Sequence, residues 1–287
     1  MIERQTFSVP MSGSPGSHSP TGDGQHIPSG RCEYQFHLFT APGTRDQGIE
    51  IARSRQTKSV GTSRKMSETL YVNPLDSPGC ISDWIAEGSL ITTFPGGRMR
   101  LENALDPELG QAANFLLWCP EVFPPDIRIS WDFRPVREPG LAMLWFAAGG
   151  RDGRDLFDSA LAPRTGEYQQ YHSGDIDGYH LSYFRRRLEK ERRFHTCNLR
   201  KSYGFNLVAH APDPLPNVVD VVDSYHMALA RIDGTIRFSI DGLEIIHWTD
   251  RGSSFGPVLG EGRIGFRQMA PLIADYSNLV VTRMERA

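Results

Sequence analysis

The chain has 287 residues, of which 39% are hydrophobic and 23% charged, and its formal net charge is −3. These values fit a soluble globular protein and lack the basic excess typical of proteins that bind the nucleic-acid backbone. No apolar run of about 18 residues occurs, so we expect no membrane-spanning helix.

Residues 1–66 are predicted to be a disordered extension. Residues 12–30 consist almost entirely of Ser, Gly, Pro, His and Thr, and such a segment buries too little apolar surface to offset its ordering entropy. The segment lacks the apolar core of a signal peptide, so we expect a cytoplasmic protein. A translation start at Met66 is an alternative, because a clear strand pattern at 69–72 follows it directly. Residues 67–287 are expected to form one domain.

From residue 67 onward, apolar side chains recur with a period of two, which predicts β-strands rather than helices. Only residues 106–113 suggest a short helix. The pairs Asp233-Gly234 and Asp241-Gly242 predict two-residue hairpin turns between strands. The remaining strands are expected at 90–94, 99–102, 114–119, 127–134, 141–147, 225–231, 236–240, 243–248, 263–269 and 276–284. An all-β chain of this length favours a large jelly-roll sandwich.

Three blocks, at residues 141–158, 164–186 and 194–216, occur in the order found in a known family. They resemble the YesU-like family of unknown function, within the concanavalin A-like lectin and glucanase superfamily. The closing pattern GRIGFRQMAPLIADYSNLVVTRM is similar to the last strands of that superfamily. The resemblance covers roughly residue 70 to the C-terminus. It implies a jelly-roll sandwich of two curved antiparallel sheets with a groove on the concave sheet, and it supplies no catalytic residues.

The segment 164–200 is unusually dense in Tyr, His, Arg, Gln and Asn, the side chains that hold sugars and move protons. If this segment is extended, Tyr168, Gln170 and His172 share one face. All three are large hydrogen-bonding groups, which favours a wet groove for an oligosaccharide or polysaccharide. A solvent-facing sheet surface without a ligand is the alternative.

The same residue types suit β-elimination at a uronate, which needs a cation on the carboxylate and Tyr or His to move two protons. The proton carriers predicted are Tyr168, His172 and His195. TGEYQQ also resembles one element of jelly-roll alginate lyases, although the Arg-rich and QIH strands of that family do not occur as such. Substrate contacts are predicted for Gln170, Arg186, Asn198, Arg200, Arg267 and Glu138.

Two other functions remain open at this stage. A glycoside hydrolase needs two carboxyl groups about 5–10 Å apart, and Glu138 with Glu167 is the pair we would choose. A non-catalytic carbohydrate-binding jelly roll would bind a glycan and release no product. The sequence predicts no oligomeric state.

No cofactor is predicted. The four cysteines show no CxxC spacing, and zinc is therefore not expected. Asp175 and Asp177, followed by Gly178, form half of a calcium loop and lack its remaining ligands. A structural calcium ion is therefore a minor alternative to an ordinary Asp-Gly turn. The basic run 185–193 is interpreted as a solvated connection between strands.

Overall fold

The computed structural model describes residues 68–285, which form two antiparallel β-sheets packed face to face. The predicted fold class, an all-β concanavalin A-like jelly-roll sandwich, is therefore confirmed. The predicted disordered extension and the alternative start at Met66 fall on residues outside this range. No helix in the described range is long and apolar enough to cross a membrane.

Fifteen strands and a few short helical turns make up this part of the chain. The strands are β1 (Thr69–Asn73), β2 (Ile85–Glu87), β3 (Leu90–Thr93), β4 (Met99–Asn103), β5 (Phe115–Trp118), β6 (Ile127–Arg137), β7 (Leu141–Gly150), β8 (Ile176–Tyr183), β9 (Thr196–Ser202), β10 (Asn206–Pro212), β11 (Tyr225–Ile232), β12 (Thr235–Ile240), β13 (Leu243–Thr249), β14 (Arg263–Met269) and β15 (Ile273–Arg283). The α-helices are α1 (Tyr168–His172) and α2 (Glu189–Arg193), and 3₁₀ turns lie at Pro78–Ile81, Pro107–Ala113, Arg151–Gly153 and Val218–Asp220.

One sheet has eight strands in the order β13-β12-β11-β6-β15-β4-β3, with β1 also paired to β15. The other has seven, in the order β10-β9-β8-β7-β14-β5-β2. The two Asp-Gly pairs form the predicted hairpins that join β11, β12 and β13. Both residues of each pair have positive φ (48° and 73° for Asp233-Gly234), as the favoured two-residue turn requires.

The main core lies between the two sheets and takes one side of each strand. Strand β6 shows this alternation, with residues such as Ile129, Trp131 and Phe133 fully buried between partly exposed neighbours. Strand β7 differs, because it is buried on both sides. Its outward residues Met143 and Trp145 pack in a second, smaller cluster, formed with the segment 151–175 that crosses over the sheet. This segment builds the site described below.

The prediction of an extended strand at 168–172 is wrong. These residues form the one-turn helix α1, so alternation does not decide where their side chains point. Strand β8 ends at Tyr183, because Phe184 adopts a positive φ of 47°. This reversal turns Phe184 and Arg186 into the core, where both are fully buried.

Candidate active site

The candidate site lies on the outer face of the seven-stranded sheet, which we define as the face opposite the main core. Strand register aligns the side chains of this face in two rows. One row runs Gly265, Trp145, His180 and Arg200, and the other runs Arg267, Met143, Ser182, Asn198 and His210. The β7 side of these rows is apolar and covered by the segment 151–175. In these two rows, the residues of β8, β9 and β10 are all polar.

Helix α1 brings two aromatic side chains over these rows. It is anchored by Tyr171, which is fully buried, contacts the Trp145 ring and accepts a hydrogen bond from the Gly166 amide at 3.0 Å. Gly166 has a φ of 97°, and a Cβ there would lie 2.0 Å from the Asn114 carbonyl oxygen. A glycine is therefore required where the segment crosses the sheet. With Tyr171 fixed, Tyr168 and His172 lie one turn apart on the helix, and their ring centroids are 4.8 Å apart.

Tyr168 is at the centre of the site. Its hydroxyl lies 3.2 Å from Nδ1 of His180, and its ring lies 4.8 Å from the guanidinium carbon of Arg267. Burial raises the pKa of Tyr168 to about 12, although the nearby guanidinium groups of Arg267, Arg200 and Arg185 oppose the shift. Tyr168 is therefore a protonated hydroxyl at neutral pH and can act as a proton donor.

The hydrogen bonds around His180 favour one tautomer. When Ser202 Oγ donates its proton to the Gly204 carbonyl at 3.2 Å, it accepts from Nε2 of His180, which lies 3.3 Å away. Nδ1 then carries the lone pair and accepts the Tyr168 proton. The ring stacks on Trp145 at 4.2 Å, and burial lowers the His180 pKa well below its ordinary value. His180 is thus a neutral acceptor that orients the Tyr168 hydroxyl.

His172 is the exposed partner of Tyr168 and is half-buried. Its Nδ1 lies 2.7 Å from Ser173 Oγ, and its ring lies 4.9 Å from the Phe205 ring. Burial lowers the pKa of His172 below the ordinary histidine value, assisted by the positive charges of Arg200 and Arg267. His172 is therefore neutral at pH 7 and can accept a proton.

Arginine charge gathers around Tyr168 without a carboxylate to balance it. Arg267 is fully buried, donates to the Gly166 carbonyl at 3.0 Å, and has no hydrogen-bond partner for Nε or Nη1. Arg200 donates to the Phe205 carbonyl at 2.9 Å. Within residues 68–285, no Asp or Glu side chain lies within hydrogen-bond or ion-pair distance of Arg267, Arg200 or Tyr168. Burial lowers the pKa of Arg267 to about 10, so its charge persists at neutral pH.

Three of the residues predicted from the sequence lie away from the Tyr168 group. Arg186 is buried in an ion pair with Asp213 at 3.1 Å and donates to the Leu215 carbonyl, so its guanidinium is not available to a ligand. His195 precedes β9, and burial lowers its pKa below the ordinary histidine value, with Arg186, Asp213 and Glu138 as the charged groups near it. Glu138 belongs to this same region. It lies in the turn between β6 and β7 and is half-buried.

The other predicted residues lie around α1 with different roles. Gln170 does not share a face with Tyr168, because its side-chain oxygen accepts from the Thr165 amide at 2.7 Å. Asn198 is buried on the outer face, 2.7 Å from Nδ1 of His210. Glu167 is exposed at the start of α1 and makes no side-chain contact with Glu138 in the described part of the chain. Tyr168, His172, Arg200, Asn198 and Arg267 are therefore the predicted residues that the fold places on one face.

His180, Ser202 and Phe205 belong to the site but were not predicted. His180 and Ser202 are cross-strand neighbours across β8 and β9, and such pairing cannot be read from one sequence. A helical signal was present, however. The aromatic residues Tyr168, Tyr171 and His172 are spaced by three and four, which is the period of a helix.

The two aspartates of the half calcium loop each accept a hydrogen bond from a backbone amide. Asp175 accepts from the Ala162 amide at 2.9 Å, and Asp177 accepts from the Tyr203 amide at 3.0 Å. Among residues 68–285, no group of three or more His, Cys, Asp or Glu side chains is arranged to hold a metal ion. The prediction that no cofactor is needed stays a prediction.

A sequence family described as a domain of unknown function, DUF1961, matches residues 68–281. The chain belongs to this family. An uncharacterized protein from Bacillus subtilis strain 168, YesU, is 49% identical over 222 residues, which span 77% of this chain and 99% of the relative. The predicted membership of the YesU-like family is thus confirmed.

A crystal structure from Bacillus subtilis, described as a protein of unknown function with a galectin-like fold, is also similar. It is 49% identical, covers 78% of this chain and 99% of its own, and superposes with a TM-score of 0.74. A carbohydrate binding module from Bacillus subtilis is far more distant, at 15% identity and a TM-score of 0.43 over 69% of this chain and 94% of its own. A likeness that remote bears on no functional argument.

Proposed function

We propose that this protein cleaves a glycosidic bond in a uronate-containing oligosaccharide by β-elimination. One observation carries the proposal. A protonated tyrosine and a neutral histidine lie side by side, next to guanidinium groups that lack a carboxylate partner in the described residues. A uronate carboxylate supplies the missing negative charge, and a guanidinium is well suited to hold it.

In the proposed reaction, Arg200 binds the substrate carboxylate and Arg267 adds positive charge from beneath Tyr168. Neutralising the carboxylate makes the neighbouring C5 proton acidic. His172 accepts this proton, its electron pair forms the C4–C5 double bond, and the C4–O bond breaks. Tyr168 gives its proton to the leaving oxygen. The products are an unsaturated uronate and a free sugar hydroxyl.

The enzyme is then left with protonated His172 and the Tyr168 phenolate. Because their ring centroids are 4.8 Å apart, the proton returns from His172 to Tyr168, directly or through one water. The reaction needs no oxidant, reductant or other co-reactant. His180 is a positioning residue in this scheme, since it acts on the substrate only by orienting the Tyr168 hydroxyl.

The contacts favour elimination over hydrolysis by a carboxylate pair. Glu138 lies with His195 and Arg186, whereas Glu167 is exposed at the start of α1. Neither side chain contacts Tyr168 or His172 within residues 68–285. A hydrolase would need both carboxyl groups at one glycosidic bond. The cytoplasmic location and the exclusion of nucleic acid as a partner stay predictions.

The test is a time course on oligogalacturonate, oligomannuronate and oligoglucuronate that follows ultraviolet absorbance and reducing ends in parallel. Elimination predicts that both rise together. Reducing ends without absorbance would indicate hydrolysis, and binding without product would indicate a carbohydrate-binding module, so either result contradicts the proposal. Tyr168→Phe and His172→Gln are each expected to slow the reaction by about 10²–10⁴-fold. Tyr225→Phe, a half-buried tyrosine of the other sheet, is the matched control.

A further inference from the structure

The turn between β9 and β10 exposes two aromatic rings beside the candidate site. We call residues 203–205 of this turn the aromatic tip. Tyr203 is 47% exposed and Phe205 is 51% exposed. The Phe205 ring contacts both Tyr168 and His172 and so borders the proposed reaction centre, whereas Tyr203 lies on the other side of Gly204 and has no role in the proposed reaction.

Hydrogen bonds hold the aromatic tip in place. The Gly204 amide donates to the His172 carbonyl at 2.6 Å, and the Tyr203 amide donates to Asp177 at 3.0 Å. The Asn206 side chain donates to the Tyr203 carbonyl at 3.0 Å. The backbone that carries the Tyr203 ring is therefore held in place before a ligand arrives, which lowers the entropy lost on binding.

Each ring of the aromatic tip stacks with one guanidinium group. Arg200 lies 3.6 Å from the centroid of the Phe205 ring, and Arg151 lies 4.2 Å from that of Tyr203. Arg151 is exposed, and its side chain has no carboxylate partner in the described part of the chain. The Arg200 and Phe205 pair faces the proposed reaction centre. The Arg151 and Tyr203 pair repeats this arrangement of a guanidinium over an aromatic ring.

An open cavity of about 510 Å³ lies next to the turn that carries Arg151, and neither Arg151 nor Tyr203 lines it. Its wall includes the neighbouring Gly150 and Gly153 and also Asp177, which holds the Tyr203 amide. The wall also includes the charged residues Arg154, Asp155, Glu261 and Arg263, of which Asp155 and Arg263 pair with each other at 2.6 Å. The cavity therefore leaves open space beside the turn that carries Arg151.

We propose that Arg151 and Tyr203 form a second subsite, which binds another acidic sugar of the same chain. The inference rests on the proposed function and deepens it, because it assigns the substrate as a polyuronate chain with repeated carboxylates rather than a saccharide with one acidic residue. Arg151 pairs with the second carboxylate, and the Tyr203 ring stacks on the sugar face.

The test compares binding of uronate disaccharides and tetrasaccharides from the three polymers named above. Titration calorimetry is done in a His172→Gln background, so that the tetrasaccharide is not consumed. Arg151→Gln and Tyr203→Ala are each expected to weaken tetrasaccharide binding by about 10-fold, as for loss of one charge-assisted or stacking contact. Disaccharide binding at the Arg200 subsite is expected to change by less than about twofold.

Two controls accompany these variants. Arg128→Gln removes an exposed arginine from the eight-stranded sheet and should change neither affinity. Tyr203→Phe keeps the ring and should retain tetrasaccharide binding, even if Tyr203→Ala disturbs the turn. If the variants weaken disaccharide and tetrasaccharide binding equally, or weaken neither, the second subsite is overturned and the proposed function is left intact. If the parent protein binds no uronate oligosaccharide of any length, the proposed function fails and the inference fails with it.

Discussion

The two faces of strand β9 treat positive charge in opposite ways. On the core side, Lys201 is fully enclosed and donates to Asp250 at 2.6 Å and to the carbonyls of Gly256 and Pro257. Tyr179 also donates to Asp250, at 2.5 Å. On the outer side, Arg200 of β9 and the fully buried Arg267 of β14, in the same sheet, have only carbonyl or amide oxygens as hydrogen-bond partners.

This contrast indicates that Lys201 is a structural charge, whereas Arg267 is a charge available to a ligand. A buried ion is stable when it is paired and its hydrogen bonds are complete, and Lys201 meets both conditions. Arg267 meets neither, because Nε and Nη1 have no partner. A protein that keeps such a group lowers its own stability, and active sites are where this compromise is expected.

We expect the largest effect on stability from breaking the buried ion pair between Lys201 and Asp250. Asp250→Ala leaves the Lys201 charge uncompensated and removes the acceptor of Tyr179, so the free energy of unfolding should fall by about 3–5 kcal/mol. Urea unfolding measures this change. Glu244→Ala, which removes an exposed ion pair with Arg237, should change it by less than about 1 kcal/mol. Equal effects of the two variants would contradict a structural role for the buried pair.

On the outer face, we expect that removing a charge lowers the reaction rate and does not lower stability. Arg267→Met removes a buried charge without a carboxylate partner and keeps most of the side-chain volume, so stability should be unchanged or higher. Formation of the unsaturated product should fall about 100-fold or more, as for loss of one preorganised electrostatic group. Unfolding curves and initial rates are measured on the same preparation. A stability loss comparable with that of Asp250→Ala would show that Arg267 is structural.

Stability should also depend on pH through His180. Burial holds its folded pKa well below the ordinary value of 6.5, so the unfolded chain binds a proton that the folded protein does not. Stability is therefore lost as pH falls through 6.5 towards the lowered folded pKa, by up to about 1.4 kcal/mol per pH unit.

His180→Phe keeps the stack on Trp145 and removes this titration. When the pH is lowered from about 7.5 to about 5.5, the wild type should therefore lose more stability than the variant. Urea unfolding at the two pH values measures it, and the other histidines cancel in the comparison. A difference that stays constant would show that His180 does not remain neutral in the folded protein.

The sheets could be predicted from the sequence because their signals are local. Asp233-Gly234 and Asp241-Gly242 specify tight hairpins, and strict alternation in β12 identifies the strand between them. The positive φ of Phe184 has no such signal. It turns Arg186 into the core, where it pairs with Asp213, and the sequence gives no local sign of this reversal.

The candidate site was only partly predictable, for two physical reasons. Helix α1 has one turn, and so short a helix is held by tertiary contacts such as those of Tyr171 rather than by its own propensity. The acceptor of the Tyr168 proton comes from another element, β8, and its orientation depends on Ser202 of β9. Long-range pairing of this kind determines which residues meet, and a single sequence does not encode it locally.

We expect the smallest effect on the reaction rate from replacing Glu138 or Glu167, the carboxylate pair that the sequence offered for hydrolysis. Because Glu138 and Glu167 contact neither Tyr168 nor Arg267 within residues 68–285, Glu138→Gln and Glu167→Gln should each change the rate of product formation by less than about twofold. Initial rates on the uronate oligosaccharides that support cleavage measure this directly. A loss approaching that of Tyr168→Phe in either variant would mean that a carboxyl group acts at the bond being broken. The uncompensated arginines would then not mark the reaction centre, and the contrast between the two faces of β9 would concern stability alone.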